Sequence, residues 1–298
     1  MKYSLDGDLS YLGMHIRVEG GVATVSMVAY LDGVLAEHGI TGVVSTPATA
    51  GLFDELPNSR PLSEGEAKEY HTIVAKLLYL GKRARPDILL TEAYLCTKVK
   101  APTEADRVKL DRLLKYLNGT KEYVLVLRPG DDLAVTGYID ASFGCHPDGK
   151  SHSGLVVTVG DATVLVMSSK QKIVTKDSTE SELVALSDKT MSVVQCADFM
   201  VSQGHTIGAP NIKQDNTSTI SLVTKGGGQY RSKYMKVRQA FVKERVDCGD
   251  VNVEYLHVST KQMLADAMTK PLQGELFRVM TSSISGMTLR ATGVRWGK

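Results

Sequence analysis

Four carboxylates lie far apart along the chain, at positions where folding could gather them. Asp140 closes the apolar run of Ala134, Val135, Tyr138 and Ile139, which reads as a buried strand. A carboxylate at the inner end of such a strand is costly unless something pairs with it. Glu182 falls on the apolar stripe Leu186, Val193, Ala197 and Met200 of a long amphipathic segment, so it faces the surface that helix packs on, whereas Glu180 lies off the stripe. Asp215 ends a short strand-like run beside Asn216, and Asp266 sits in Leu264-Ala265-Asp266-Ala267-Met268. Carboxylates converging on one sheet end repel each other unless a divalent cation screens them. Two Mg²⁺ ions roughly 3.5–4 Å apart would do so, activating water and stabilising a leaving oxygen in phosphodiester hydrolysis. Each acid also has a structural reading. Glu182 completes a T-x-x-E capping box from Thr179, Asp215 could cap the following helix, and Asp266 could be a solvent-facing acid of an amphipathic helix. Asp140 has no cap to make.

The elements that must position these acids can be read in order. Residues 11–28 carry two strand-like runs around Glu19-Gly20-Gly21, a hairpin followed by a helix with Leu31, Val34 and Leu35 at helical spacing. After an irregular connection, three amphipathic helices are expected over about 66–82, 86–99 and 103–120. From about residue 131 the pattern becomes three strands in a meander that turns at Gly160-Asp161, and then a long helix. A short strand with a following helix, a basic helix, a strand and a final helix around Asp266 complete it. Such a succession predicts an α/β domain with a mixed sheet and helices packed on it.

Composition narrows the classes. The 298 residues allow two domains, and 43% apolar with 23% charged residues suits an ordinary soluble protein. A net charge of +2 identifies no partner in bulk, so nucleic-acid affinity would need local clustering. Cys96, Cys145, Cys196 and Cys248 are widely spaced without a CxxC, which argues against zinc and a disulfide framework and suits a reducing compartment. No signal pattern or membrane-length apolar run is present, so an intracellular location away from the membrane is expected.

Six ordered motifs carry a family resemblance. "YIDASFGCHPDGKSHSG", "SSKQKIVTKDSTESELVAL", "KQDNTSTISL" and "HVSTKQMLADAMTKPL" resemble the ribonuclease H domain of Ty1/copia-type retrotransposon polyproteins. "YHTIVAKLLYLGKRARPDILL" and "RLLKYLNGTKEYVLVLRPG" are similar to the region joining polymerase to ribonuclease H in that family. The resemblance implies a ribonuclease H-like mixed five-stranded sheet with flanking helices over residues 131–298. It would be preceded by a mainly helical thumb or connection subdomain (51–130) and a short β-hairpin, the remnant of a reverse-transcriptase palm (1–50). It implies cleavage of the RNA strand of RNA–DNA hybrids with two Mg²⁺ ions, for which Mn²⁺ can substitute, held by Asp140, Glu182, Asp215 and Asp266. The remaining partner implied is the upstream fingers and palm, and the compartment a cytoplasmic retrotransposon particle or the nucleus. His257 either simply ends a strand or, as the resemblance implies, is a loop histidine that assists product release. Ser142 and Phe143 stand where the family has a second acid and a tryptophan, and Lys233-Tyr234-Met235 where it often has Lys-His-Ile. The adjacent aspartates of a polymerase palm are missing, since the one such pair, Asp131-Asp132, follows Pro129-Gly130 as a surface turn would. The chain is therefore expected to be a polyprotein fragment or truncated element that does not polymerise DNA by itself.

Residues 225–245 hold seven Lys or Arg and one Glu, a local charge of +6 with Tyr230 and Tyr234 interleaved. Lys225, Arg231, Lys233, Lys236 and Arg238 are the expected phosphate contacts, with glycines 226–228 allowing close backbone approach. The alternative is a solvated helix face. Ser151, His152 and Ser153, near the first strand's end, are candidates to touch the other nucleic-acid strand. Two further functions fit parts of the pattern: a catalytically inactive hybrid- or protein-binding remnant of a retrotransposon, and a DNA-cutting transposase or integrase nuclease of the same fold.

Overall fold

Glycine turns and capping side chains delimit most of the early elements. The computed structural model describes residues 7–128, 130, 132–226, 230, 232–256 and 263–287. Strands β1 (Gly7–Tyr11), β2 (Met14–Glu19) and β3 (Val22–Ser26) form an antiparallel meander, with Gly20 and Gly21 at φ +57° and +77° in its second turn. Helix α1 (Val28–Glu37) follows. In α2 (Glu64–Gly81) the Ser63 hydroxyl accepts from the Glu66 backbone, and the Glu66 carboxylate accepts from the Ser63 backbone. Pro86–Ile88 make a 3₁₀ turn into α3 (Leu89–Cys96). Thr103 and Asp106 repeat the reciprocal cap at α4 (Glu104–Gly119). Each such cap is worth about 1 kcal/mol. Strand β4 (Leu125–Leu127) pairs with β3, so the expected hairpin is part of a four-stranded sheet ordered β1-β2-β3-β4.

The second compact unit, Pro129–Lys270, contains β5 (Val135–Ser142), β6 (His152–Val159), β7 (Ala162–Lys170), α5 (Ser178–Ser202), β8 (Asn211–Gln214), α6 (Thr217–Thr224), α7 (Lys233–Asp247) and β9 (Asn252–Tyr255). Its sheet runs β7-β6-β5-β8-β9, antiparallel through the first three strands and parallel from β5 through β8 to β9. This is the ribonuclease H-like α/β architecture that the motifs lead one to expect. Helix α5 lies against β5 at Gly137, where an added Cβ would stand 2.6 Å from Val193 Cγ2. Ile139, Leu155, Leu183, Leu186, Val193 and Ile212 fill the core there. Residues 264–268 form a 3₁₀ turn in place of the expected final helix. The Thr269 N–H reaches back to the Asp266 carbonyl, and Pro271 disfavours helical backbone just before it.

Helix α8 (Gly274–Ser285) belongs to the first unit, which comprises Met1–Arg128 and Pro271–Lys298. Phe277 of α8 meets Tyr116 edge-on, within a core that includes Leu31, Tyr70, Ile73 and Leu113. Arg85 and Asp87 form a buried bidentate pair at 2.9 and 2.7 Å, and the Tyr116 hydroxyl donates to Asp87 at 2.7 Å. Among the described residues no helix is long and apolar enough to cross a membrane.

Glu92 on α3 is 2% exposed and accepts a bond from the Cys96 thiol at 2.6 Å. Burial pushes its carboxyl up to about 7, from an ordinary 4.5. The folded state thus holds this proton more tightly than the unfolded chain. Its stabilising contribution is full below about pH 4.5 and is lost as the pH rises through about 7. Glu92→Gln should therefore melt several degrees above wild type at pH 8, a gain on the order of 2–3 kcal/mol, with the difference vanishing near pH 4.5. Thermal melts at the two pH values decide it; an equal offset at both would show that Glu92 does not titrate in this way.

Candidate metal centre

Asp140 lies on β5, two residues from its C-terminal end, Glu182 in the second turn of α5, and Asp215 just after β8. One carboxylate oxygen from each lies within 4.8 Å of the other two. Because β5 and β8 are parallel neighbours, their C-terminal ends bring Asp140 and Asp215 to the same sheet end. Glu182 reaches the cluster because other side chains do the capping. Asp177 caps α5, its Oδ1 accepting from the Glu180 backbone at 2.9 Å, and Glu180 accepts from the Lys176 backbone. Asn216, not Asp215, caps α6. Asp266 is 8% exposed, which removes the reading of a solvent-facing acid.

The cluster is electrostatically frustrated. Asp140 and Glu182 are 2% and 5% exposed. Burial, then the charges of Asp140 and Asp215, push the Glu182 carboxyl well above its ordinary range. Asp215 is raised by burial and by Asp140, and Asp266 is pushed up to about 6 by burial and by Asp140. Three neighbours offset part of this. Lys270 Nζ donates to Asp266 Oδ1 at 2.6 Å and to Asp140 Oδ1 at 3.4 Å, linking the fourth acid to the first. The Thr269 hydroxyl donates to Asp140 Oδ2. Fully buried Gln214 donates to Glu182 Oε2 at 3.3 Å, while its own Oε1 accepts from the backbone N–H groups of Asp215 and Asn216. None of these three was singled out from the sequence. Two signals were available: Lys270 stands at i+4 from Asp266, and Gln214 shares a strand face with Ile212 immediately before an acid.

Three clustered carboxylates, two buried and one half-buried, are hard oxygen donors that fit a small divalent cation. Oxygens on opposite sides of one Mg²⁺ ion stand about 4.2 Å apart, inside the 4.8 Å that bounds the three oxygens here. Asp140 and Gly154 are cross-strand partners and so project to one sheet face. The turn carrying Asp266 covers that face closely: a Cβ on Gly154 would stand 2.8 Å from Met268 Cβ and Thr269 Cγ2. Glycine permits this approach.

The other expected residues divide. His257 and Arg231 lie outside the described residues, as do Asp131, Gly227 and Gly228. Lys225, Lys233 and Lys236 are exposed. Arg238 is engaged within the molecule, paired with Asp188 and stacked over the Tyr234 ring at 4.6 Å. Ser151, His152 and Ser153 are buried, which corrects the expectation that they touch a nucleic-acid strand. The antiparallel β5–β6–β7 pairing places His152 in the middle strand, between Ser142 and Lys170.

No family model matches the chain. It is 31% identical over 218 residues to the Retrovirus-related Pol polyprotein from transposon RE1 of Arabidopsis thaliana, covering 72% of this chain and 15% of that protein. It is 22% identical over 247 residues to the Transposon Ty1-H Gag-Pol polyprotein of Saccharomyces cerevisiae, covering 80% of this chain and 14% of that one. The chain thus spans about a seventh of the length of these relatives. A solved foamy viral protease-reverse transcriptase in complex with RNA/DNA hybrid is similar over 84% of this chain and 29% of its own, at 10% identity and a TM-score of 0.47.

Screening of mutually repelling acids should appear as stability. Millimolar Mg²⁺ should raise the wild-type melting temperature by several degrees and leave Asp140→Asn almost unmoved, as read by calorimetry. An equal response of both proteins would show that Mg²⁺ binds elsewhere.

Proposed function

Because this chain belongs to the family of Ty1/copia-type retrotransposon Pol polyproteins, we propose that it is a metal-dependent endoribonuclease of the ribonuclease H type, hydrolysing the RNA strand of RNA–DNA hybrids. The observation that carries the reading is the gathering of Asp140, Glu182 and Asp215, with oxygens within 4.8 Å, at the end of parallel strands. These three, together with Asp266, would hold two Mg²⁺ ions, or Mn²⁺ in their place. When bound, the ions lower the pKa of a coordinated water and stabilise the leaving oxygen. Asp266, on the far side of Asp140, orients the attacking water. The water oxygen bonds to phosphorus as the bond from phosphorus to the leaving ribose oxygen breaks; the water's proton passes to solvent, and the leaving oxygen, which keeps the bonding pair, takes a proton from solvent to become a hydroxyl. Lys270 balances the charges of Asp140 and Asp266. His257 is retained in the reading as an aid to product release.

Lys225, Lys233 and Lys236, with Arg231 and the remaining hydrogen-bonding capacity of Arg238, supply phosphate contacts, and selectivity for RNA comes from its 2′-hydroxyl. Within this reading, residues 1–50 correspond to the tail of a polymerase palm, 51–130 to a thumb or connection, and 131–298 to the nuclease. The partners are the hybrid and the fingers and palm of a polymerase. The place of action is inside the cell, in a retrotransposon particle or the nucleus.

The direct test is cleavage of a labelled RNA–DNA hybrid with Mg²⁺. The wild type should cut the RNA strand, and Asp140→Asn should lower the rate by about 10²-fold or more. Hybrid binding without cutting by the wild type would instead favour a non-catalytic binding remnant, and nicking of duplex DNA a transposase-like nuclease. For the basic helix, Lys233→Ala combined with Lys236→Ala should weaken hybrid binding and make its log–log salt dependence shallower by about 2. An unchanged slope in a fluorescence titration would remove these lysines from the interface.

A further inference from the structure

A chain of polar side chains, buried at its two histidines and half-buried at Ser168, runs from the loop after β5 to the turn that carries Asp266. His146 and His152 stack with ring centroids 5.2 Å apart, and His146 Nε2 lies 3.0 Å from His152 Nδ1. His152 Nε2 lies 2.7 Å from Ser168 Oγ, and Ser168 donates to the Met268 carbonyl at 2.8 Å. Both histidines are buried, at 3% and 0% exposure.

The chemistry of the last bond orders all the protons before it. A carbonyl only accepts, so the single hydroxyl proton of Ser168 is committed to Met268. His152 Nε2 must then carry a proton and donate it to Ser168 Oγ. In a neutral imidazole this leaves Nδ1 as an acceptor, which His146 satisfies with its own Nε2–H. Burial, followed by the charge of His146 and then those of Lys189 and Lys170, holds His152 well below its ordinary value, in keeping with a neutral ring.

Position gives the chain a purpose. Asp140, Gly154 and Ser168 form one cross-strand row over β5, β6 and β7. The 3₁₀ turn rests on this row at Gly154 and is tied to it by Ser168. The same turn carries Asp266 and leads directly to Thr269 and Lys270, the two groups that bond Asp140. We propose that His146, His152 and Ser168 form a positioning relay that fixes the Asp266 turn against the metal-binding face of the sheet. Met268 is its point of attachment. The relay acts on the site proposed above and rests on that reading; the three residues touch neither substrate nor metal.

The test compares wild type, Ser168→Ala and Ser168→Thr in hybrid cleavage, Mg²⁺ titration by calorimetry, and ¹⁵N spectra of histidine-labelled protein. Ser168→Ala should lower kcat by about 10–100-fold with KM within about twofold and the melting temperature nearly unchanged. It should weaken Mg²⁺ binding by about tenfold, and Ser168→Thr, which keeps the hydroxyl, should restore both. In the wild type His152 should be neutral and protonated at Nε2, with His146 also carrying a proton on Nε2. Wild-type kcat and Mg²⁺ affinity in Ser168→Ala, or losses no larger than its loss of stability, would overturn the relay. So would a His152 ring protonated at Nδ1 in the wild type. If the wild type binds Mg²⁺ but cuts no hybrid, the nuclease reading fails alone, and the relay is judged by the Mg²⁺ titration. A wild type that binds no Mg²⁺ overturns both.

Discussion

The mutual repulsion of Asp140, Glu182 and Asp215 is the constraint around which the second unit is organised. Like charges held within a few ångström in a buried setting oppose folding, and a carboxylate taken from water without a partner is costly. The protein offsets this with a short list of donors: Thr269 and Lys270 toward Asp140, and Gln214 toward Glu182. Those donors reduce the repulsion without removing it, as the raised carboxyl pKa values of Glu182 and Asp215 indicate. Such a cluster offers three carboxylates that could hold a small divalent cation, and this capacity connects the fold to the proposed chemistry.

Geometry then explains why certain residues have no bulk. Gly137 lets α5 press on one face of β5, bringing the helix start close enough for Glu182 to reach the sheet end. Gly154, beside Asp140 on the next strand, lets the Asp266 turn press on the opposite face. The acids therefore converge from both sides of a single strand. Capping adds a second layer. With Asp177 and Asn216 satisfying the helix N-termini, the acids nearest those ends are left for the cluster.

Much of this was legible in the sequence, for reasons that can be named. The alternation in 135–142 and the apolar stripe of α5 are local patterns, so the strand, the long helix and the inward aim of Glu182 could be read directly. The order of elements pointed to a mixed sheet but left open which strands are neighbours, and only the placed backbone pairs β5 with β8 in parallel. The choice between capping and catalysis was not legible. Thr179-x-x-Glu182 and Asp177-x-x-Glu180 are overlapping cap signals, and only the placed backbone distinguishes them. Lys270 and Thr269 were missed because their bonds to Asp140 span about 130 residues and depend on where the turn lands. The burial of His152 was missed for a related reason. A polar Ser-His-Ser run reads as surface until the sheet register puts it in a middle strand. The family resemblance supplied the same acids by a separate route, through motifs that local physics alone would have ranked as ambiguous.

The central claim is that the three carboxylates are a divalent-cation site, and anomalous diffraction from crystals soaked in Mn²⁺ tests it most directly. The account predicts anomalous density bonded directly to oxygens of Asp140, Glu182 and Asp215, with the Lys270 ammonium moved off Asp140. An empty cluster at saturating Mn²⁺, with Lys270 still bridging Asp140 and Asp266, would contradict it.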